Sequence, residues 1–228
     1  MVEIAGAVKQ QGYDTTADGQ TRSAAINRSG GLVTSSPQAM YDQWLRGGKV
    51  FSAHFATEGG SSTVEANATV DLTEPCFRLT VPSSKIVVPI SVRFDYSAVR
   101  VTADAMFMTT SEGDTYTSGG AAPQVNNLTV LAAADSAINS ATSSCTNVFD
   151  GDSALTEAAL VNPRQFGAKY WTTGGLFAPY EYNILKGDPM IMIHGSSSWQ
   201  VQAILTGALE CLYEIVWAEL DKSELVNS

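Results

Sequence analysis

Charged side chains are scarce in this chain of 228 residues. Lys, Arg, Asp and Glu make up 16% of the sequence, against roughly 25% in an ordinary globular domain. Thirteen basic residues stand against twenty-three acidic ones, and the formal net charge is −10. Because binding to phosphate depends on Lys and Arg, this balance disfavours a direct nucleic-acid partner. The apolar fraction of 44% is that of a folded protein.

Cysteine and histidine are also few. The three cysteines lack C-x-x-C spacing, so neither a disulfide framework nor a zinc or redox motif is expected. Cys76 and Cys211 lie in apolar runs and are predicted to be buried thiols. His54 and His194 are the two histidines, which is too few for a histidine-rich metal site. We therefore predict no cofactor.

Acidic residues are concentrated in one region, positions 101–160, which contains seven of them and no basic residue. The Asp-Gly-Asp triplet at 150–152 and the pair Glu112 and Asp114 could bind Ca²⁺ through carboxylates. Neither matches an EF-hand loop. Since Asp-Gly is a common turn dipeptide, solvated acidic turns are the simpler interpretation.

Long hydrophobic runs are missing as well. No apolar segment approaches the roughly 20 residues of a membrane-spanning helix. The N-terminus lacks the charged and apolar regions of a secretory signal peptide. We therefore expect a protein that is made in the cytoplasm of its host and has no membrane span.

The N-terminal region differs from the rest of the chain. Residues 1–36 lack apolar periodicity and are rich in Gly, Gln, Ser, Thr and Ala. They are interpreted as an extended arm ordered by a neighbour, with a disordered tail as the alternative. A helix is predicted at 37–46, because proline suits its first turn and a Gly pair follows it. The arm with this helix forms segment 1–48, and residues 49–228 form the domain.

Beyond residue 49 the hydrophobic period changes to two. Between Ile86 and Tyr96 every second residue is apolar or aromatic, which predicts a strand with one buried face. Pro89 cannot donate to a strand ladder, so this strand should lie at an edge or contain a bulge. Further strands are predicted around 51–55, 77–81, 101–107, 128–130, 190–194, 199–205 and, as a central strand, 211–220.

The region 133–185 lacks such a pattern and is interpreted as long loops with a short helix at 153–161. Many short strands with one irregular excursion indicate an all-β fold. We predict an antiparallel jelly roll or β-sandwich of about eight strands, with the extended N-terminal arm and its short helix at 37–46 added to it.

One arrangement hints at catalysis. His194 directly precedes Gly-Ser-Ser-Ser at 195–198, which could supply the base and nucleophile of a hydrolase. The tetrapeptide does not match the G-x-S-x-G nucleophile elbow and is typical of a hairpin loop. An enzyme is therefore the least favoured function, and we predict that the protein is not one.

Aromatic residues are concentrated in a loop-like stretch near the centre of the C-terminal half. They could close one end of the sandwich or act as contact anchors, because aromatic residues are enriched in subunit interfaces. The candidate interaction residues are Tyr170, Trp171, Phe177, Tyr180 and Tyr182, together with Met40 and Trp44 of the predicted helix.

Two segments carry a resemblance to a known family. Residues 80–92, TVPSSKIVVPISV, combine a strand, a proline-containing turn and a second strand, and this resembles single-jelly-roll virion proteins. Residues 212–220, LYEIVWAEL, are similar to the final strand of phage structural proteins of this kind. At the level of pattern the resemblance covers residues 50–220.

The resemblance implies a capsid protein or a capsid-decorating (cement) protein of a bacteriophage, located in the virion. Such a protein would form a homo-oligomer, commonly a trimer, and contact other capsid proteins. The N-terminal arm departs from genome-binding arms because it is nearly neutral, which favours a role in the outer shell. The alternative is a trimeric receptor- or carbohydrate-binding β-sandwich, such as a fibre head or a lectin-like module, with the aromatic stretch as its binding surface.

Overall fold

The computed structural model describes most of the domain. The residues that it describes are 36–55, 62–64, 71–96, 104–129, 142–150, 155–171, 179–204 and 209–223. The arm predicted for residues 1–36 lies outside these ranges, except for Ser36.

Two antiparallel sheets contain nearly all of the described strands. The first sheet has β1 (Val50–Phe55), β2 (Ser62–Val64), β4 (Lys85–Tyr96), β7 (Gln124–Asn127), β11 (Tyr180–Asn183), β12 (Ile193–His194) and β14 (Leu209–Asp221). The second has β3 (Phe77–Val81), β5 (Asp104–Glu112), β8 (Thr146–Asp150), β10 (Arg164–Trp171) and β13 (Ser197–Ile204). A small third sheet pairs β6 (Tyr116–Ser118) with β9 (Thr156–Glu157).

The strand pairing is nested. β1 pairs with β14, β3 with β13, β4 with β11 and β5 with β10, all antiparallel. The contacts β14–β4 and β13–β5 then complete the two sheets. This is a long hairpin rolled into two layers, which is a jelly roll. The predicted all-β fold is therefore confirmed, and β14 is the central strand that its apolar sequence indicated.

Aromatic residues fill the space between the two sheets. Phe77 of the second sheet meets Tyr213 of the first with ring centroids 6.2 Å apart, and Phe94 stacks on Tyr213 at 5.4 Å. Trp199 and Trp217 are fully buried nearby. Cys76 and Cys211 are buried thiols, as predicted. The core therefore consists of large side chains supplied by both sheets.

Strand β4 contains a bulge at its proline. In the pairing with β14, the consecutive residues Val216 and Trp217 lie opposite Ser91 and Pro89, so Ile90 is an extra residue in β4. Directly opposed residues share a face of a sheet, and the bulge therefore moves Val88 to the outer face while Phe94 stays on the inner one. The predicted bulge is confirmed. The prediction of a single alternating face is wrong, because an inserted residue shifts the alternation.

The predicted helix is confirmed as α1 (Pro37–Arg46). Ser36 caps it by accepting a hydrogen bond from the Ala39 N–H at 3.2 Å, and Gly47 follows its last residue. Three half-buried side chains fix the helix on the core, namely Tyr41, Trp44 and Leu45. A 3-10 helix (Ile184–Lys186) contacts both α1 and β4. Within the described ranges, no helix is long and apolar enough to cross a membrane.

The region 133–185 differs most from its prediction. Its described part contains β8, β9, β10 and β11 where loops were expected, and Thr156–Glu157 form a strand where a helix was expected. Each of these strands pairs with a partner far away in the sequence, so local periodicity carries little signal for them. Leu128 follows the end of β7, and Val130 lies outside the described residues.

Candidate functional site

An open polar surface lies on the outer face of the first sheet. We call it the polar basin and define it by His54, Arg93, Asp95, Asn126, Leu212 and Glu214. The alternation of β1, β4 and β14 directs these side chains away from the aromatic core. The volume of the basin is about 550 Å³.

The strand register aligns the basin residues across the sheet. His54 lies opposite Glu214, and Glu214 lies opposite Arg93 on the next strand. On the other side of β1, Gln124 of β7 lies opposite His54. Neighbouring strands are about 4.8 Å apart, so this row presents closely spaced polar groups along a line perpendicular to the strands.

Several basin side chains hold one another in place. The Arg93 guanidinium donates to both carboxylate oxygens of Asp95, at 2.7 and 3.0 Å. The Asn126 amide nitrogen lies 3.4 Å from Nδ1 of His54. The hydrogen bonds to Asp95, followed by the charge of Asp95, raise the pKa of Arg93. The basin thus presents partly ordered donors and acceptors to solvent.

A second polar group lies on the outer face of the second sheet, but it is buried. We call it the buried polar cluster and define it by Arg78, Asp114, Thr115, Glu157, Ser198 and Gln200. Apart from Asp114, which is half-exposed at its side chain, these residues are 0–6% exposed. Strands β6 and β9 and the residues next to them cover the cluster and supply Asp114, Thr115 and Glu157.

Arg78 is the only cation of this cluster and faces two carboxylates. Its Nη2 donates to Asp114 at 2.8 Å and to the Thr80 hydroxyl at 2.8 Å. Its Nε lies 2.9 Å from Glu157 but is not aligned for a hydrogen bond. The guanidinium also stacks over Tyr116, with 5.1 Å to the ring centroid. Two acidic groups against one basic group leave one negative charge in excess.

The two carboxylates respond to this environment in opposite ways. Burial raises the pKa of Glu157, and the Thr115 hydrogen bond and the Arg78 charge only partly offset it. Partial burial also raises the pKa of Asp114, but hydrogen bonds from Arg78, Tyr116 and Thr80 outweigh it and bring the pKa below its usual range. The cluster has little solvent access, so its chemistry serves to attach the cover to the sheet.

Hydroxyl and amide groups extend the cluster along β13. The Thr115 hydroxyl donates to Glu157 and lies 3.2 Å from the Ser198 hydroxyl. Gln200 donates to Thr115 at 3.3 Å and accepts from Thr109 at 3.0 Å. Ser198, predicted to belong to a hairpin loop, is instead a buried strand residue.

The predicted aromatic group is not a single surface. Tyr180 and Tyr182 are buried, with hydroxyls that donate to the carbonyl oxygens of Gly167 and Pro189 at 2.7 and 2.6 Å. They are part of the core and cannot act as contact anchors, so this part of the prediction is wrong. Their alternation along β11 explains why, since both point to its inner face.

The other predicted contact residues have different positions. Tyr170 is 76% exposed on β10. The backbone of Trp171 pairs with β5, but its side chain is not among those that the structure describes. Phe177 lies outside the described residues. Trp44 packs against the core, and Met40 is half-buried on the helix. Of the seven candidates, Tyr170 alone is a described side chain that is largely exposed.

In the predicted hydrolase arrangement of His194 with Ser196–Ser198, Ser197 and Ser198 have hydrogen-bond partners other than the His194 imidazole. The Ser197 hydroxyl donates to the backbone carbonyl of His194 at 2.5 Å. This hydrogen bond joins Ser197 to the backbone of His194 and not to its imidazole. Ser198 belongs to the buried polar cluster, on the outer face of β13.

The acidic turns also differ from the prediction. Asp150 is fully buried and accepts a hydrogen bond from the Tyr213 hydroxyl at 2.9 Å, so it is not a solvated turn residue. Gly151 and Asp152 lie outside the described residues. Asp114 is engaged by Arg78, and its Oδ2 accepts from Asn147 at 2.6 Å. In the part of the chain that is described, no three His, Cys, Asp or Glu residues are grouped as metal ligands.

Sequence reasoning predicted neither the basin nor the cluster. For the basin, the period of two in residues 86–96 indicated only that Arg93 and Asp95 lie on the face opposite the core. For the cluster the available signal was Arg78, a charged residue inside the apolar run FRLTV. Its partners Asp114 and Glu157 are distant in sequence, and no local pattern links them to it.

Comparison of the chain with protein-family models, with curated proteins and with solved structures found no match in any of the three.

Proposed function

We propose that this chain is a structural protein of a virus particle, in the first instance a bacteriophage. It would be a jelly-roll capsid or capsid-decorating subunit that acts through contacts with copies of itself and with other capsid proteins. The observation that carries the proposal is the nested pairing of β1–β14, β3–β13, β4–β11 and β5–β10. Jelly rolls occur in viral capsid proteins and also in lectins and cupins, so the support is fold-level analogy joined to the resemblance of residues 80–92 and 212–220.

Strand β10 is the surface that best fits a contact between copies. It is at the end of the second sheet and pairs with β5 alone among the described strands. An edge strand offers its backbone groups to another chain, and Tyr170 on β10 adds a large exposed ring. β10 also carries Arg164 and Lys169 and no acidic residue, so an acidic surface of a second copy or of another capsid protein would complement it.

The first test is the mass of the pure protein in solution, measured by light scattering on a sizing column. We expect a closed trimer of about three times the 24.1 kDa chain mass, or particles of megadalton size if the protein builds a shell alone. A trimer would then be tested for binding to empty capsids. A monomer of 24.1 kDa at all concentrations, with no affinity for capsids, would contradict the proposal.

The contact surface is tested by Tyr170→Ser. We expect this change to shift the oligomer towards monomer, because it removes a large exposed aromatic side chain from the edge strand. Leu212→Ser is the matched control, since Leu212 is 48% exposed but lies on the outer face of the other sheet. Equal effects of the two substitutions would count against β10 as the contact.

Deletion of residues 1–35 tests the predicted arm and keeps the Ser36 cap of α1. The domain should remain folded by circular dichroism, and assembly should weaken. Loss of folding would refute the assignment of these residues as an arm.

A further inference from the structure

The polar basin has the shape of a surface site for a small hydrophilic ligand. It is an open depression of about 550 Å³, formed by four adjacent strands rather than by loops. A rigid sheet holds side chains more precisely than loops do. The pairings Arg93–Asp95 and His54–Asn126 also reduce the conformational entropy that binding would cost.

The chemistry of the basin combines donors and acceptors in similar numbers. Glu214 and Asp95 supply acceptors only, Arg93 supplies donors only, and Asn126 supplies both. The His54 ring adds one donor and one acceptor when it is neutral. Each hydroxyl group of a polyol both donates and accepts, so a row of such mixed partners matches a hydroxyl-rich molecule. Leu212, which is 48% exposed, offers an apolar patch for ring C–H groups.

Charge and shape exclude other ligand classes. Arg93 is balanced by Asp95, and Glu214 leaves the basin with one negative charge, which disfavours phosphates and other anions. Three of the side chains that line the basin are charged, unlike those at the core of a protein–protein interface. The basin is open, whereas sites for apolar ligands enclose most of the ligand surface.

From these observations we propose that the polar basin binds a neutral saccharide. Asn126, Glu214 and His54 hydrogen-bond the sugar hydroxyls, and Leu212 contacts the ring. The inference is independent of the proposed structural role: it assigns a ligand to one face of the sheet, whichever way the copies assemble. In an oligomer, several basins would bind a surface glycan with higher avidity than one basin alone.

Saturation-transfer NMR tests the site with defined probes. The probes are the methyl glycosides of glucose, galactose, mannose and N-acetylglucosamine, each at about 10 mM, a concentration suited to weak binding. We expect transfer to at least one of them, and weaker transfer to the methyl glycoside of glucuronic acid, whose carboxylate meets Glu214. Absence of transfer to all four neutral probes would overturn the proposal.

Two basin variants and one control variant locate the binding. Asn126→Ala and Glu214→Gln should each weaken binding by about tenfold, the loss expected for one hydrogen bond that involves a polar or charged partner. Glu112→Gln is the matched control, because Glu112 is exposed but lines a different groove, and its binding should equal that of the wild type. Thermal unfolding confirms that each variant is folded, and His54→Ala replaces any that is not. Undiminished binding in the basin variants would place the saccharide elsewhere and refute the assignment.

Discussion

The two outer faces of this jelly roll carry similar side chains in opposite environments. On the first sheet, Arg93 contacts Asp95, and both side chains are nearly half exposed. On the second sheet, Arg78 contacts Asp114 and Glu157, and the side chains of Arg78 and Glu157 have no exposure. Residue type is thus a poor guide to role here. The cover formed around β6 and β9 separates a surface available to ligands from one that holds the structure together.

The energetic consequences of the two environments differ as well. An exposed ion pair is screened by water and contributes little to stability. A buried pair gains stronger attraction but costs desolvation, and removal of one partner leaves an uncompensated charge inside the protein. Substitutions of matched type on the two faces therefore separate the effect of burial from that of chemistry.

The largest effect is expected from Arg78→Met. This change leaves Glu157 and Asp114 facing an apolar side chain, and we expect the free energy of unfolding to fall by about 3–5 kcal/mol. Urea unfolding followed by tryptophan fluorescence measures it. The triple variant Arg78→Met with Glu157→Gln and Asp114→Asn, which removes all three charges, should recover part of the loss. No recovery would show that packing of the arginine, and not its charge, is what matters.

A smaller effect is expected from Gly120→Ala, which acts on the cover. Gly120 has a φ of +83°, and an added Cβ would lie 2.7 Å from the Cβ of Phe149. Phe149 stacks on Tyr116, which in turn stacks on Arg78. We expect a loss of about 1–3 kcal/mol from the backbone conformation alone, with a further loss from the close contact.

Gly113→Ala provides the control for this prediction. Gly113 has a similar φ of +74° but no atom within 4 Å of the added Cβ. Urea unfolding of both variants therefore separates backbone strain from the clash. If both variants lose the same free energy of unfolding, the residues around Gly120 move to accommodate the added methyl group and the predicted clash does not occur.

The buried polar cluster should make the free energy of unfolding depend on pH, because burial raises the pKa of Glu157. A carboxyl whose pKa is raised in the folded state contributes stability that is full below its ordinary pKa and is lost as pH rises through the raised value. Wild type should therefore lose stability relative to Glu157→Gln as pH rises above the ordinary glutamate pKa of about 4. Asp114→Asn should show the opposite sign in acid, since the pKa of Asp114 is lowered. The free energy of unfolding is measured by chemical denaturation at each pH. If it depends on pH in the same way for wild type and Glu157→Gln, the pKa of Glu157 is not raised by folding.

The smallest effect is expected from Arg93→Ala on the open face. Its partner Asp95 is solvated, so losing the arginine leaves no buried charge behind. We expect the free energy of unfolding to stay close to the wild-type value in the same urea assay that detects Arg78→Met. A loss comparable to that of Arg78→Met would remove the distinction between the two faces.

The strands that could be predicted are those with a strong period of two. β3, β4, β13 and β14 have apolar residues on one or both faces, and the structure places each of them near its predicted bounds. Helix α1 was equally accessible, because proline and glycine mark its two ends. β8, β10 and β11 were missed, since their polar or mixed sequences are extended through pairing with distant strands.

Burial of individual residues was harder to predict. Tyr180 and Tyr182 were predicted either to close one end of the sandwich or to act as contact anchors, and the structure places both in the core. The face of a strand decides such cases, and that face depends on register. The residues of β4 show the same dependence on register, because the one residue inserted at the bulge changes which side chains point inward.

The sequence by itself determined that this chain folds as an all-β domain with a short helix. Alternating apolar residues and their turn signals encode strands locally, and Pro37 and Gly47 encode the ends of the helix. Only the tertiary structure decided which polar residues meet. Arg78 contacts Glu157 across 79 positions of the chain, and His54 and Glu214 lie side by side across 160. Strand pairing brings such residues together, and it follows from the packing of the whole sandwich rather than from any local segment.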